Sequence, residues 1–442
     1  MGIRRVLRLR AALKRTRALG ILSALALPLP AAAQSVWGGS GSTSATTDYN
    51  TATNWSNPPG VAPISAGTSA VFANSGPGTV NVSAAVSPNS WTFATNAQSY
   101  TITGANVTFN TGTGLIDNAN AGQSINSLGG AGGIQLNGNS TLTLTTINTY
   151  TGATTINPGA TLALSGLGGI PFSSIVTANG TFDISGSAIP FKAISTLAGS
   201  GFVQLGNNGL VITAGSTEFS GTIAGTGSGG IEIAGGTQTL SGVNTYAGVT
   251  QIDPGATLAL KGNGSIANTL YVGFLGAGTL DISQTKSGAS VSGLFDPVGF
   301  GKVSLGSKTL TFTGSAGFFN GVIQDGGTGG NVTIANGRLA TLGGVNTYTG
   351  LTTINAGGEL DMSGNGSIAA SKAVINNGIF DISCLCSSSG SITSLSGAST
   401  GIVNLGANTL TITNGSGTYA GATIPRRRWS DRPRLAAMAP WS

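Results

Sequence analysis

Residues Asn346–Ile368 read NTYTGLTTINAGGELDMSGNGSI, and this stretch decides the fold because the chain writes it three times. Asn244–Ile266 reads NTYAGVTQIDPGATLALKGNGSI, and Asn148–Ile170 reads NTYTGATTINPGATLALSGLGGI. Downstream, LDIS or FDIS returns at Phe182–Ser185, Leu280–Ser283 and Phe380–Ser383. A V-x-L-G block returns with Leu205, Leu305 and Leu405. The chain is one module of roughly a hundred residues in three copies, and a fixed period of this kind marks a repeat architecture.

Within each module, segments such as TTINPG, ATLALSG and GTFDISG alternate apolar and small polar residues, then stop at Gly, Asn or Pro. Period-two alternation with such stops predicts half-buried strands and tight turns. Thr, Val, Ile and Ser suit a pleated surface. The alternation aims Leu162 and Leu164, Leu258 and Leu260, and Leu360 and Met362 inward. Thr161 and Ala163, Thr257 and Ala259, and Glu359 and Asp361 face outward. A row kept apolar beside a row that drifts predicts an all-β, right-handed parallel β-helix, with coils stacked about 4.8 Å apart. A string of β-sandwiches fits less well: the strands are short, and no buried Trp or Cys pair recurs per module.

Charge and hydropathy agree that the chain folds and is exported. Charged residues are 7%, yet 40% are hydrophobic and regularly placed, unlike a disordered chain. Seven of the 19 basic residues fall in the first seventeen positions and five in the last seventeen. The body is therefore net acidic, which argues against nucleic acid as a partner. A basic start to Arg17, an apolar run over Ala18–Leu29 and Pro30-Ala31-Ala32-Ala33 predict a signal peptide over 1–33, cleaved before Gln34. The run is too short to span a bilayer, and no later stretch reads as a transmembrane helix.

These residues carry a family resemblance. NTYTGxTTINxGxLxLSGNGSI resembles the autotransporter-associated β-strand repeat of bacterial outer-membrane autotransporter passengers. Asn54-Trp55 with GTSAVFANSGPGTVNV and SYTITG is similar to the start of such passengers. The resemblance implies a β-helical passenger carried to the cell surface through a C-terminal β-barrel. Here the repeats run to Ile424, then switch to PRRRWSDRPRLAAMAPWS, and no barrel follows. The organisation expected is a signal peptide (1–33), an N-terminal cap and first coils (34–124), a repetitive passenger (125–424) and an aberrant basic tail (425–442). That tail reads either as natural or, more in keeping with its lack of pattern, as out-of-frame translation after a frameshift. On the second reading the chain stays in the periplasm and its open end associates with other copies.

The expected function is a non-enzymatic surface or secreted adhesin-like passenger or stalk, with glycans or proteins of a host or neighbouring cell as partners. The alternative is a polysaccharide lyase or glycosidase on the same scaffold. The chain contains no His, which removes His-based triads and His-ligated metals. The recurring Asp183, Asp281 and Asp381 stand four to five coils apart, about 20 Å along the axis, whereas paired catalytic carboxylates need about 5–9.5 Å. They are expected to cap turns. Glu359 and Asp361 form a local pair on the outer face, and Arg338 is the body's one arginine. Cys384 and Cys386 flank Leu385, too far apart in extended strand to bridge unless the backbone turns. The Gly clusters 129–133, 225–230 and 326–330 read as flexible turns between coil stacks, and Tyr150, Tyr246 and Tyr348 as packing residues. No catalytic, cofactor or metal residue is expected.

Overall fold

A computed structural model describes residues 34–39, 46–110 and 113–424; the expected signal peptide (1–33) and basic tail (425–442) lie outside the described residues. The described chain is a parallel β-solenoid of about 17 turns with no α-helix. The antiparallel pairing of Gln34–Trp37 with Trp55–Ser56 stands among otherwise parallel ladders. Register partners Ile134, Thr154, Val176 and Leu197 give a coil of 20–22 residues. Each coil has three sides. Phe191–Ile194, Leu197–Ala198 and Phe202–Gly206 follow one another in the chain and belong to three different sheets.

The inward row is as the alternation predicts. Leu162, Leu164, Leu258, Leu260, Leu360 and Met362 are buried, and they stack on one another's counterparts in neighbouring coils. Fully burying such a side chain stabilises by about 1.5–3 kcal/mol, which is why this row stays apolar while its neighbours vary. At the first turns the interior is aromatic instead. Trp37, Tyr49, Trp55, Phe72 and Trp91 interlock edge to face, with Trp37 and Trp55 centroids 5.1 Å apart, and Phe93 stacks on Phe72. Their polar atoms are used as well: Trp91 Nε1 donates to Tyr49 Oη, which donates to the Pro63 carbonyl.

The N-T-Y motif is explained by polar bookkeeping in the interior. Asn148, Asn244 and Asn346 are buried, and each Oδ1 accepts a backbone N–H from the coil before, from Leu128, Ile223 and Ile323 at 2.9, 2.9 and 3.0 Å. Each Nδ2 donates to a carbonyl of the coil after, of Gly169, Ser265 and Ser367. One amide thus ties three coils at a corner where strand pairing lapses. The buried Tyr hydroxyls bond Thr154, Thr250 and Thr352 Oγ1, and these bond Ser173, Thr269 and Ser371 one coil on. Tyr150, Tyr246 and Tyr348 are packing residues with satisfied hydroxyls, and burial pushes all three phenols well above their usual pKa.

The D-I-S and V-x-L-G blocks meet in successive coils. A side chain on Gly206, Gly306 or Gly406 would place its Cβ 2.8, 2.7 or 2.6 Å from the Cβ of Ser185, Ser283 or Ser383. Each glycine also has φ near +60°. Both the space and the left-handed backbone require glycine, so two blocks distant in sequence are one packing contact.

The three modules do not stack in phase. A repeat of roughly a hundred residues spans about four and two-thirds coils of this length. Each copy therefore starts two sides further round, one side short of a full turn. Thr161–Leu164, Thr257–Gly262 and Glu359–Gly364 are equivalent in sequence and lie in three different sheets. The bridge Gly199↔Phe219 carries the side holding Thr154–Ile156 into the sheet holding Thr257–Gly262. Asp296↔Phe319 does the same from Thr250–Ile252 to Glu359–Gly364.

Candidate functional site

The module rotation settles the recurring aspartates. Asp183, Asp281 and Asp381 are separated around the solenoid as well as along it, one on each side. The axial spacing alone understated their separation. Each Oδ1 accepts the N–H two residues on, of Ser185, Ser283 and Ser383, at 2.8, 2.9 and 2.8 Å. In the second and third copies this local bond coincides with a shift of strand register. The aspartate holds the bend that aims the following serine under its glycine.

Sequence spacing pairs Glu359 with Asp361, but the closer carboxylate neighbour comes from the next coil. Asp361 lies directly opposite Asp381 in the parallel ladder, with strands about 4.8 Å apart. Asn404 follows in the same row and donates from Nδ2 to Asp381 Oδ2 at 2.8 Å. Asp381 is buried and both of its oxygens are in use. Arg338 lies one coil before Glu359, and its carbonyl accepts the Glu359 N–H. None of the three cavities described below is lined by Thr341, Asp361, Asp381, Asn404 or Arg338.

Cys384 and Cys386 are both exposed and unbridged. The strand Ile379–Leu385 stays extended through Leu385, so the sharp turn that a bridge between them requires does not form. Among the described residues no group of three or more His, Cys, Asp or Glu side chains is placed to hold a metal. No helix among them is long and apolar enough to cross a membrane, which leaves β-barrels unaddressed.

The Gly clusters correct their sequence reading. They are corners inside coils, and the third is tightly held. Asp325 accepts N–H groups of Gly327, Gly329 and Gly330 and both N–H and Oγ1–H of Thr349. Although partial burial opposes ionisation, these bonds prevail and hold the carboxyl below its usual pKa. That is a carboxylate serving the backbone.

Concave space is found on the outside of the corners. A cavity of about 310 Å³ opens beside Asn365–Ile368 and Ser387–Ser391, and one of about 210 Å³ at the equivalent corner beside Asn263–Ser265. The largest of these three, about 490 Å³, is mostly apolar and lies between Phe191 and Leu270, where the first module runs into the second. Local alternation gives no sign of it, because its walls come from five successive coils.

A three-sided parallel solenoid, with interior amides and hydroxyls repeated at fixed places, defines a repeat protein whose recurring polar side chains hold coils together. The passenger-associated-transport-repeat family matches residues 136–164, 235–260 and 341–360. The chain is 32% identical over 345 residues to the adhesin BmaC autotransporter of Brucella suis biovar 1 (strain 1330), covering 71% of this chain and 9% of that one. It is 28% identical over 346 residues to outer membrane protein A of Rickettsia rickettsii, covering 69% of this chain and 14% of that one. No solved structure matches the chain. The chain thus belongs with bacterial autotransporter passengers bearing autotransporter-associated β-strand repeats, and it spans about a tenth of the length of the curated relatives it matches.

Proposed function

We propose that the chain is a non-enzymatic adhesin-like passenger segment displayed at the bacterial surface or released from it, in which the solenoid supplies reach and module-specific side chains supply contacts. About 17 coils at roughly 4.8 Å each extend about 80 Å. One observation carries the reading: the side chains that the modules share are spent on holding coils together. Asn244 ties coils, Tyr246 fills the interior and Asp281 braces a bend. Outward positions vary freely between modules, as at Ala163, Ala259 and Asp361. Partners on this reading are glycans or proteins of a host or neighbouring cell; the Brucella relative is itself named an adhesin.

The test is adhesion of beads coated with the purified chain to cultured mammalian cells and to bacterial cells. Binding above that of beads coated with an unrelated β-solenoid is expected, and binding at that background would refute the reading. The rival, a glycoside-cleaving site, is favoured by one feature, the Asp361–Asp381 adjacency. Reducing ends released from polysaccharide by the chain, and lost in Asp361→Asn, would establish it instead.

A further inference from the structure

The second module departs from its siblings on one outer side. In the sheet running from Phe191–Ile194 to Leu294–Phe295, the outward row reads Val211, Glu232, Gln251, Gly273, Phe295. The equivalent row of the third module reads Thr311, Thr333, Thr353, Ile375, Ser396. The scaffold therefore tolerates plain threonine there, and the second module's set answers to something else.

Two of that row, Glu232 and Gln251, line the 490 Å³ groove. Its floor is bare backbone at Gly209 and Gly230. At one end the Phe191 ring lies over Gly209, so close that a Cβ there would fall 2.5 Å from Cδ1, and Phe191 is 61% exposed. Beyond the other end Tyr271 lies against Gly273 and packs on Phe295 with centroids 5.8 Å apart. Gly209 and Tyr271 adjoin strands three coils apart, so two aromatic surfaces stand about 14 Å apart along the axis.

Between them the polar groups are incompletely satisfied. Gln251 lines the groove, and its Nε2 is buried with no hydrogen-bond partner. Glu232, also in the lining, lies near enough to Asp253 to feel its charge, and Asp253 Oδ1 is buried and unpartnered. Burial first, then the Asp253 charge, push the Glu232 carboxyl above its usual pKa. A donor lacking an acceptor beside an acceptor lacking a donor costs stability unless a ligand supplies both.

From this geometry we infer that the groove binds an uncharged saccharide chain, its apolar ring faces on Phe191 and Tyr271 and its hydroxyls on Gln251 and the Glu232–Asp253 pair. Hydroxyls both donate and accept, and so satisfy both orphaned groups. An ammonium or guanidinium only donates and leaves Gln251 Nε2 unanswered. An acidic sugar meets two carboxyls, and no Lys or Arg lines the groove. The mostly apolar walls with a few convergent polar groups are those of a small-ligand site. The inference deepens the adhesin reading by naming a ligand class for one place on it.

The test is calorimetric titration of the purified exported chain with cellotetraose, maltotetraose and mannotetraose, beside tetralysine and tetragalacturonate. At least one neutral tetrasaccharide should bind with Kd below about 1 mM. Phe191→Ala and Gln251→Ala should each weaken it at least about tenfold. Thr353→Ala, the third-module equivalent of Gln251→Ala, should leave it unchanged. Thermal melts of all variants check that the solenoid is intact. The inference is overturned if no neutral probe binds, if only tetralysine or tetragalacturonate binds, or if the two groove variants bind as the parent does. Beads that adhere to cells equally well with Phe191→Ala would remove the groove's role and leave the adhesin reading standing. Saccharide binding without cell adhesion would do the reverse.

Discussion

Asn244 Oδ1 accepts the backbone N–H of Ile223 at 2.9 Å, twenty-one residues earlier and one coil below. The same amide reaches the Ser265 carbonyl one coil above. Asn244→Ala strands a buried N–H and should cost about 1–3 kcal/mol. Asn244→Asp should cost more at pH 7, because a carboxylate would face the Ser265 and Gly242 carbonyls in place of a donor. Denaturant unfolding of both variants measures this, and an aspartate variant as stable as the parent would contradict the ladder.

Tyr246→Phe removes one buried hydroxyl while Thr250 keeps its bond to Thr269. The loss should be small, about 0.5–1.5 kcal/mol. Tyr246→Ala opens a cavity in the solenoid interior and should cost about 3–5 kcal/mol. Comparable losses in the two variants would mean that the hydroxyl, not the ring, is what the motif needs.

Gly306→Ala suffers both a positive φ and a Cβ 2.7 Å from that of Ser283. A loss above about 1 kcal/mol is expected. Pairing it with Ser283→Gly relieves the clash but not the backbone, so the double variant should recover part of the loss. A double-mutant cycle with no coupling would show that the two blocks do not touch.

Asp117 is buried, with one bond from the Ala119 N–H and a longer one from Ser140, and burial pushes its pKa up to about 6. The unfolded group titrates near 4, so between these values the folded chain holds a proton that the unfolded chain has released. Stability should therefore fall as pH rises from about 4 to about 6, by roughly 2–3 kcal/mol from this group. Asp117→Asn keeps an acceptor for Ala119 and gains a donor for Ser140. It should be more stable than the parent at pH 7 and should lose this part of the pH dependence in melts taken from pH 4 to 7.

Much of this molecule was legible before any coordinates. Alternation in ATLALKG identifies the inward Leu258 and Leu260, because a strand side chain can only point to one face or the other. The return of N-T-Y and D-I-S marked residues with structural duties, though not what those duties were, since the partners of Asn244 lie one coil away on either side. The recurring Asp183, Asp281 and Asp381 were correctly kept apart, but by axial distance alone.

The repeat, the strands and the apolar row are readable along the chain, since they follow from nearest-neighbour geometry. Tertiary structure alone decided which side of the solenoid each copy occupies, that Asp361 faces Asp381, and that Phe191, Gly209, Gly230, Gln251 and Leu270 share a groove. The reason is cumulative. A residue's side depends on the summed length of every corner before it, and a coil of 20 residues or of 22 looks alike to local alternation. A module that is not a whole number of coils turns that sum into a rotation. The rotation sets which side chains become neighbours.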